Sequence, residues 1–300
     1  MLHILTHDIL PVFSMLALGF LLGRTGTISK TEAAAINRVA FLILQPALIF
    51  PLIAALDWPT FRVAPLAGYA ASQVALFLLA LAVCRLVFRR DMVEAWLLSM
   101  ATVFVNTLLY VWPISFLIYG EAAALPVTAI VAWDSAITFA FFIVSTDLMA
   151  NRGAGFGPAF KRIATNPVLI AIACGMLFNL AALDVPAPLL TAMDFAGAGA
   201  APLTLFALGV ILSGQSLTPS PVIATVAALK LLAFPALVAT AVWAVAPPET
   251  WQTLFTLTAA GPSGAMAFAL ALLYGVRTDA IAPVIIWTSL LSLISLAWLA

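Results

Sequence analysis

Two ionisable side chains, Asp134 and Lys230, stand inside long apolar runs of the chain. At membrane depth a charge is costly, and such residues mark ion pathways, proton relays or substrate contacts. Asp134 could take up a proton or a cation. Lys230 could help hold an anion, or the two could pair as a structural ion pair. A second kind of chemistry is written in helix breakers. Asn106-Thr107 is followed by Pro113, and further on stands Gly261-Pro262-Ser263-Gly264 with Met266 just after it. Proline removes a backbone donor and clashes with the preceding turn, and glycine permits strained dihedrals. Each cluster should unwind a few residues of an apolar helix. The helix that resumes after a break presents free N–H groups and the positive end of its dipole, which attract anions. Two such ends would make an anion site with no cationic side chain. In that site Asn106 would hydrogen-bond a carboxylate or unwound backbone. Thr107 and Ser263 would offer hydroxyls, Gly261 and Gly264 would admit close backbone approach, and Pro113 and Pro262 would hold the breaks open.

Hydrolytic chemistry is a weaker reading of the same residues. Gly261-Pro262-Ser263-Gly264 has the G-x-S-G pattern of rhomboid-type serine proteases, but a serine nucleophile needs a base, and no histidine follows His7. Asp134 follows a tryptophan, and Gly197-x-Gly199 is followed by Ala200, so the contexts of paired aspartyl proteases are missing. Cys84 and Cys174 lie in apolar runs without metal-ligand spacing and read as small packing residues. No cofactor or metal is expected, beyond a coupling proton or sodium ion.

The elements that must position these residues follow from composition. Of 300 residues, 65% are hydrophobic and 8% charged, and the mean hydropathy is +1.18. That is too little charge to coat a soluble domain of this size, so lipid is the main solvent. The apolar runs are continuous rather than alternating, which selects helices over a barrel. Net charge is zero, which argues against nucleic acid as a partner. Punctuation by charge, Pro and Gly gives ten spanning segments, roughly 5–23, 33–56, 63–88, 94–118, 123–148, 165–183, 187–213, 221–245, 250–274 and 279–299. The first reads as a retained helix and not a signal peptide. With the N-terminus outside, inner loops and helix ends hold Arg24, Lys30, Arg38, Arg85, Arg89, Arg90, Arg152, Lys161, Arg162 and Arg277, and outer loops hold Arg62 alone. The positive-inside rule therefore places both termini outside.

The chain also repeats. Pro11-Val12, Gly19 and Leu21 recur as Pro167-Val168, Gly175 and Leu177; Pro65 recurs as Pro221, at the same offset of 156; Tyr119-Gly120 recurs as Tyr274-Gly275 at 155. The first five segments (1–150) and the last five (165–300) would be two copies joined by a cytoplasmic linker at 151–164. An odd number of helices per copy inverts the second one, and inverted repeats place a transporter's site at the midplane between broken helices. The fourth and ninth segments carry their breakers at equivalent midpoints.

With Pro46-Ala47-Leu48-Ile49-Phe50, Asn106-Thr107 with Pro113, Pro262-Ser263, Ala271 and Tyr274-Gly275, the chain resembles the auxin efflux carrier family. Bacterial members of that family include chains described as malate and malonate permeases. The resemblance spans essentially the whole chain. It implies ten transmembrane helices in an inverted five-plus-five repeat, with broken helices four and nine crossing. It further implies a scaffold of helices 1, 2, 6 and 7, an elevator-like transport domain of helices 3–5 and 8–10, and a homodimer. Two departures stand out. Leu108 and Val111 replace glycines usual between the Asn and the Pro, and Met266 replaces a common Asn, which predicts a tighter, more apolar site. The expectation is an all-α, multi-pass protein of the cell inner membrane. It would carry a small organic anion, a mono- or dicarboxylate, as a secondary transporter and not an enzyme. The alternatives are a channel or sensor, for which no repeated selectivity motif is present, and the intramembrane protease above.

Overall fold

The structure is a computed structural model that describes residues 1–151 and 156–300. Its helices, in chain order, are α1 Leu2–Arg24, α2 Lys30–Ala54, α3 Val63–Val87 and α4 Met92–Val103, then a 44-residue run, α5, Thr107–Ala150. They continue with α6 Gly157–Ala164, α7 Pro167–Leu180, α8 Ala187–Leu212 and α9 Pro221–Ala244. The last three are α10 Glu249–Ala259, α11 Met266–Leu273 and α12 Ile281–Leu299. Among the described residues there is no strand, only an isolated antiparallel bridge between Val105 and Ser263.

Seven of these helices, α1, α2, α3, α5, α8, α9 and α12, are long and apolar enough to cross a membrane. The pair α6 and α7, bent by 62°, is an eighth if it counts as one span. The ten spans expected from sequence are not all present as single helices, for physical reasons. The 94–118 and 250–274 segments are each divided by their breakers into two shorter helices. The 44 residues of α5 fold back on themselves: Thr107 Oγ1 donates to Asp134 Oδ2 at 3.0 Å, and Trp112 Nε1 donates to Thr128 Oγ1 at 3.3 Å. The reversal falls at Gly120, whose φ of +58° suits only a residue without a Cβ. Gly275, after α11, also has a positive φ, +65°. Both follow a tyrosine at the end of a helix that begins after a break.

Local chemistry explains where the helices begin. Ser29 and Glu32 form a capping box at α2. Asn166 caps α7 and Ser220 caps α9, each followed directly by a proline, which is suited to the first helical position. The linker expected at 151–164 falls partly on residues 152–155, outside the described residues, as does Arg152; its remainder contains α6.

Packing sorts the helices into two groups. The 10–24 stretch of α1 lies along the 200–212 stretch of α8, and α7 lies along the 45–54 stretch of α2. In the other group α3 packs on α4 and α9, α9 packs on α10, and α11 packs on α4 and α12. Large apolar side chains such as Leu78, Leu86, Leu232, Trp243 and Ile294 are exposed on the outside, as expected where lipid is the solvent. The buried centre is instead rich in Ser, Thr and Gln, with Asp134 and Lys230 among them.

Candidate functional site

The two breaks meet. After Val103 the chain runs extended through Phe104 and Val105 to Asn106. After Ala259 it loses helical form until Met266. The two unwound segments lie antiparallel: Asn106 N donates to Pro262 O at 3.0 Å, and Gly264 N donates to Phe104 O at 2.8 Å. Backbone unwound at membrane depth must find partners inside the protein, and here each break supplies them for the other. Gly264 permits the approach, because a Cβ there would come within 2.7 Å of the Phe104 ring and 3.2 Å of the Val105 carbonyl. Ser263 is committed to this architecture. Its N–H donates to Thr288 Oγ1 at 3.2 Å and its hydroxyl to Ala101 O at 2.6 Å. No base lies against that hydroxyl among the described residues, so it is placed as a structural donor.

The carbonyl ends of the helices before the breaks are capped alike. Gln73 Nε2 donates to Val103 O at 3.2 Å, and Lys230 Nζ donates to Ala259 O at 2.6 Å. The two acceptors are 156 residues apart. A cation at a helix C-terminus is favoured by the dipole, and the Lys230 ammonium also lies 4.9 Å from the centre of the Phe234 ring. Lys230 is fully buried, and no Asp134 oxygen lies within 4.0 Å of it. The ion pair considered from sequence is therefore not formed. Tyr69 has its hydroxyl on Asp134 and its ring 5.5 Å from that of Phe234.

Asp134 is the centre of a hydrogen-bond network. Its Oδ2 accepts from Tyr69 Oη at 3.1 Å and Thr107 Oγ1 at 3.0 Å, and its Oδ1 accepts from Gln73 Nε2 at 2.7 Å. Thr138 Oγ1 adds a longer contact at 3.5 Å. The carboxylate thus ties the first residue beyond the first break to α3 and to the returning arm of α5.

A cavity of about 140 Å³ opens beside this crossing. Asn106, Thr107, Asp134, Gly264 and Met266 line it. Gly261, Pro262, Ser263, Pro113 and Lys230 do not. Pro113 is not in a break at all. It sits at the start of the α-helical part of this arm, Trp112–Tyr119, directly after the π-turn Thr107–Val111; lacking an N–H, it cannot extend a regular ladder back through that turn. The backbone N–H groups of Thr107, Leu108 and Leu109 on one side, and of Ala265 and Met266 on the other, have no acceptor among the described residues. Both resumed helices thus direct their positive ends to one cavity. The far wall carries Asn37, Gln45 and Thr204. Sequence reasoning left Gln45 as an interhelical hydrogen bonder, and only its position opposite the breaks marks it as part of the site. A larger cavity of about 750 Å³ is an apolar groove between α9 and α12, lined by residues such as Leu232 and Ile294. Its lining lacks the convergent polar groups of a ligand site, and it touches neither break.

Crossed, interrupted helices around a small polar cavity, in a helical chain that spans the membrane several times, define a membrane transporter as the class of this protein. The sequence matches the family described as Membrane transport protein over residues 4–158 and 156–299, and the chain belongs to that family, the auxin efflux carriers. It is 27% identical over 300 residues to a protein of Rhizobium meliloti (strain 1021) named "Putative malonate transporter", covering 96% of this chain and 92% of that one. It is 26% identical over 295 residues to an "Uncharacterized transporter" of Methanothermobacter thermautotrophicus, covering 97% and 96% respectively.

Proposed function

We propose that the protein is a secondary transporter that carries a small organic anion, a mono- or dicarboxylate, across the cell inner membrane by elevator-like alternating access. The observation that carries this reading is the convergence of two free helix N-termini on one buried cavity. Together they supply roughly one positive charge and at least five unmatched donors, with no cationic side chain in the lining. The name of the Rhizobium relative, a malonate transporter, points to the same substrate class.

Ten crossings in two inverted halves, 1–150 and 165–300, with both termini outside, accord with the capped carbonyls 156 residues apart and with the matching positive-φ glycines. In this reading the group formed by α1, α2, α7 and α8 is the scaffold. The group that holds both breaks is the moving domain, and Gln45 and Thr204 face it from the scaffold across the cavity. Asp134 couples a proton or a sodium ion to the substrate. An ionised carboxylate on the wall of an anion site repels the anion, strongly so away from water, and loading it with a cation removes the repulsion.

The test is uptake of radiolabelled malonate, malate and indole-3-acetate into proteoliposomes under imposed proton and sodium gradients. The expected result is saturable uptake of a short carboxylate, accelerated by one of the gradients. Asn106→Ala should reduce it at least tenfold, since Asn106 is the polar side chain at the first break. Uptake unchanged in Asn106→Ala would place the substrate elsewhere.

A further inference from the structure

We infer that Gln45 and Thr204 form a second recognition wall that reads a polar group at the far end of the carried anion, which makes the preferred substrates short carboxylates with two functional groups. This rests on the substrate site proposed above and specifies its chemistry.

Gln45 is 5% exposed and Thr204 is 8% exposed. Their only side-chain hydrogen bond among the described residues is to each other, Gln45 Nε2 to Thr204 Oγ1, at a long 3.3 Å. A glutamine amide offers two N–H donors and a carbonyl acceptor, and a threonine hydroxyl offers a donor as well. One Gln45 N–H, the Gln45 carbonyl and the Thr204 hydroxyl proton are therefore unmatched, in a setting whose other members include Phe41, Leu205 and Leu208. Both residues line the same cavity as Thr107, Leu108, Leu109, Ala265 and Met266, and come from different helices.

The backbone prepares this wall as well. A π-turn covers Ala40–Leu44 and closes when Gln45 N–H bonds to Ala40 O. Pro46, which has no N–H, follows at once. Single π-turns within α-helices are frequent at functional sites, and here the residue that follows is Gln45.

The two walls differ in what they can bind. The break side offers free backbone N–H donors and positive helix ends, with Asn106 and Asp134 beside them, and takes a carboxylate once Asp134 carries a cation. The α2–α8 side offers donors and an acceptor without charge, and takes a hydroxyl, a carbonyl or a second carboxylate. The cavity has a volume of about 140 Å³. That is the scale of a small carboxylate.

The experiment measures displacement of bound radiolabelled malonate from the purified full-length chain by unlabelled malonate and by propionate, which has the same carbon count and one carboxylate. Wild type, Gln45→Leu and Thr204→Val are compared, each shown to be folded by its melting curve. Wild type should prefer malonate by at least tenfold. In each variant malonate should weaken about tenfold while propionate changes less than twofold, so the preference collapses. A malonate-to-propionate ratio unchanged in both variants would overturn the second wall. Asn106→Ala in the same assay separates the two levels. If it leaves malonate affinity intact, or if wild type binds neither acid, the substrate site itself is misplaced and the second wall falls with it. A variant that does not fold is replaced by the other, since either side chain alone is expected to give the effect.

Discussion

Asp134→Ala will reduce uptake by at least 100-fold while leaving the protein in the membrane. The carboxylate is the shared acceptor for Tyr69, Gln73 and Thr107. Removing it strands three donors in a buried site, at about 1–3 kcal/mol each. Part of that loss will appear as a lower melting temperature. The larger functional loss comes from Thr107, which is the first residue beyond the break and one of the free N–H groups on the cavity. Without Asp134 nothing fixes its side chain, and the resumed helix loses its aim at the substrate. Asp134→Asn separates shape from charge. It should retain measurable binding, yet uptake should no longer be accelerated by the proton or sodium gradient that drives wild type. Uptake rates and melting curves of the two variants check this. Gradient-driven acceleration preserved in Asp134→Asn would remove Asp134 as the coupling residue.

Gly209→Val, or Gly19→Val, will yield no folded carrier. These two glycines are where α1 and α8 cross. A Cβ on Gly19 would land on the carbonyl of Phe206, and one on Gly209 on the carbonyl of Leu16. Both obstacles are backbone, so no rotamer change relieves them. Membrane helices associate through close packing of small residues, without a hydrophobic drive toward one another, so forcing this pair apart removes the main contact between them. Overpacking usually costs about 1–3 kcal/mol and occasionally more; a clash with backbone on both faces belongs at the upper end. The variants should run as aggregates on size exclusion in detergent. Gly157→Ala is the control, since a Cβ there meets nothing within 4 Å, and it should behave as wild type. A monodisperse Gly209→Val protein with an unchanged melting temperature would contradict the packing described for α1 and α8.

What could be read from sequence and what could not divide along physical lines. Breakers act locally, so the clusters at Asn106-Thr107 and Gly261-Pro262-Ser263-Gly264 mark both interruptions in the sequence itself. Asp134 stood out because a lone acid in an apolar run has no inexpensive explanation. The direction of side chains was not legible, since it depends on neighbours distant in sequence. Ser263 read as a ligand hydroxyl, yet it donates to Ala101, 162 residues away. Lys230 and Asp134 suited each other by depth, yet Asp134 is bonded by Tyr69, Gln73 and Thr107, and Lys230 by the Ala259 carbonyl. Pro113 read as part of the break because its effect on the helix is real, but that effect is spent on a π-turn one step further along. Gln45 and Thr204 sit 159 residues apart, and no local pattern joins them across a cavity.

The central claim is that the carried anion binds between the crossed breaks, and its most direct test is substrate protection at Met266. Met266 lines the cavity and is part-exposed. Met266→Cys would be made in a chain in which the exposed Cys174 is replaced by alanine; Cys84 is buried. Alkylation of that thiol by a small maleimide is then followed with and without the anion that uptake identifies. Binding at the crossing predicts that alkylation slows at least fivefold at saturating anion, with half-protection at the concentration that half-saturates uptake. A labelling rate indifferent to the anion, in protein that still transports it, would contradict the account.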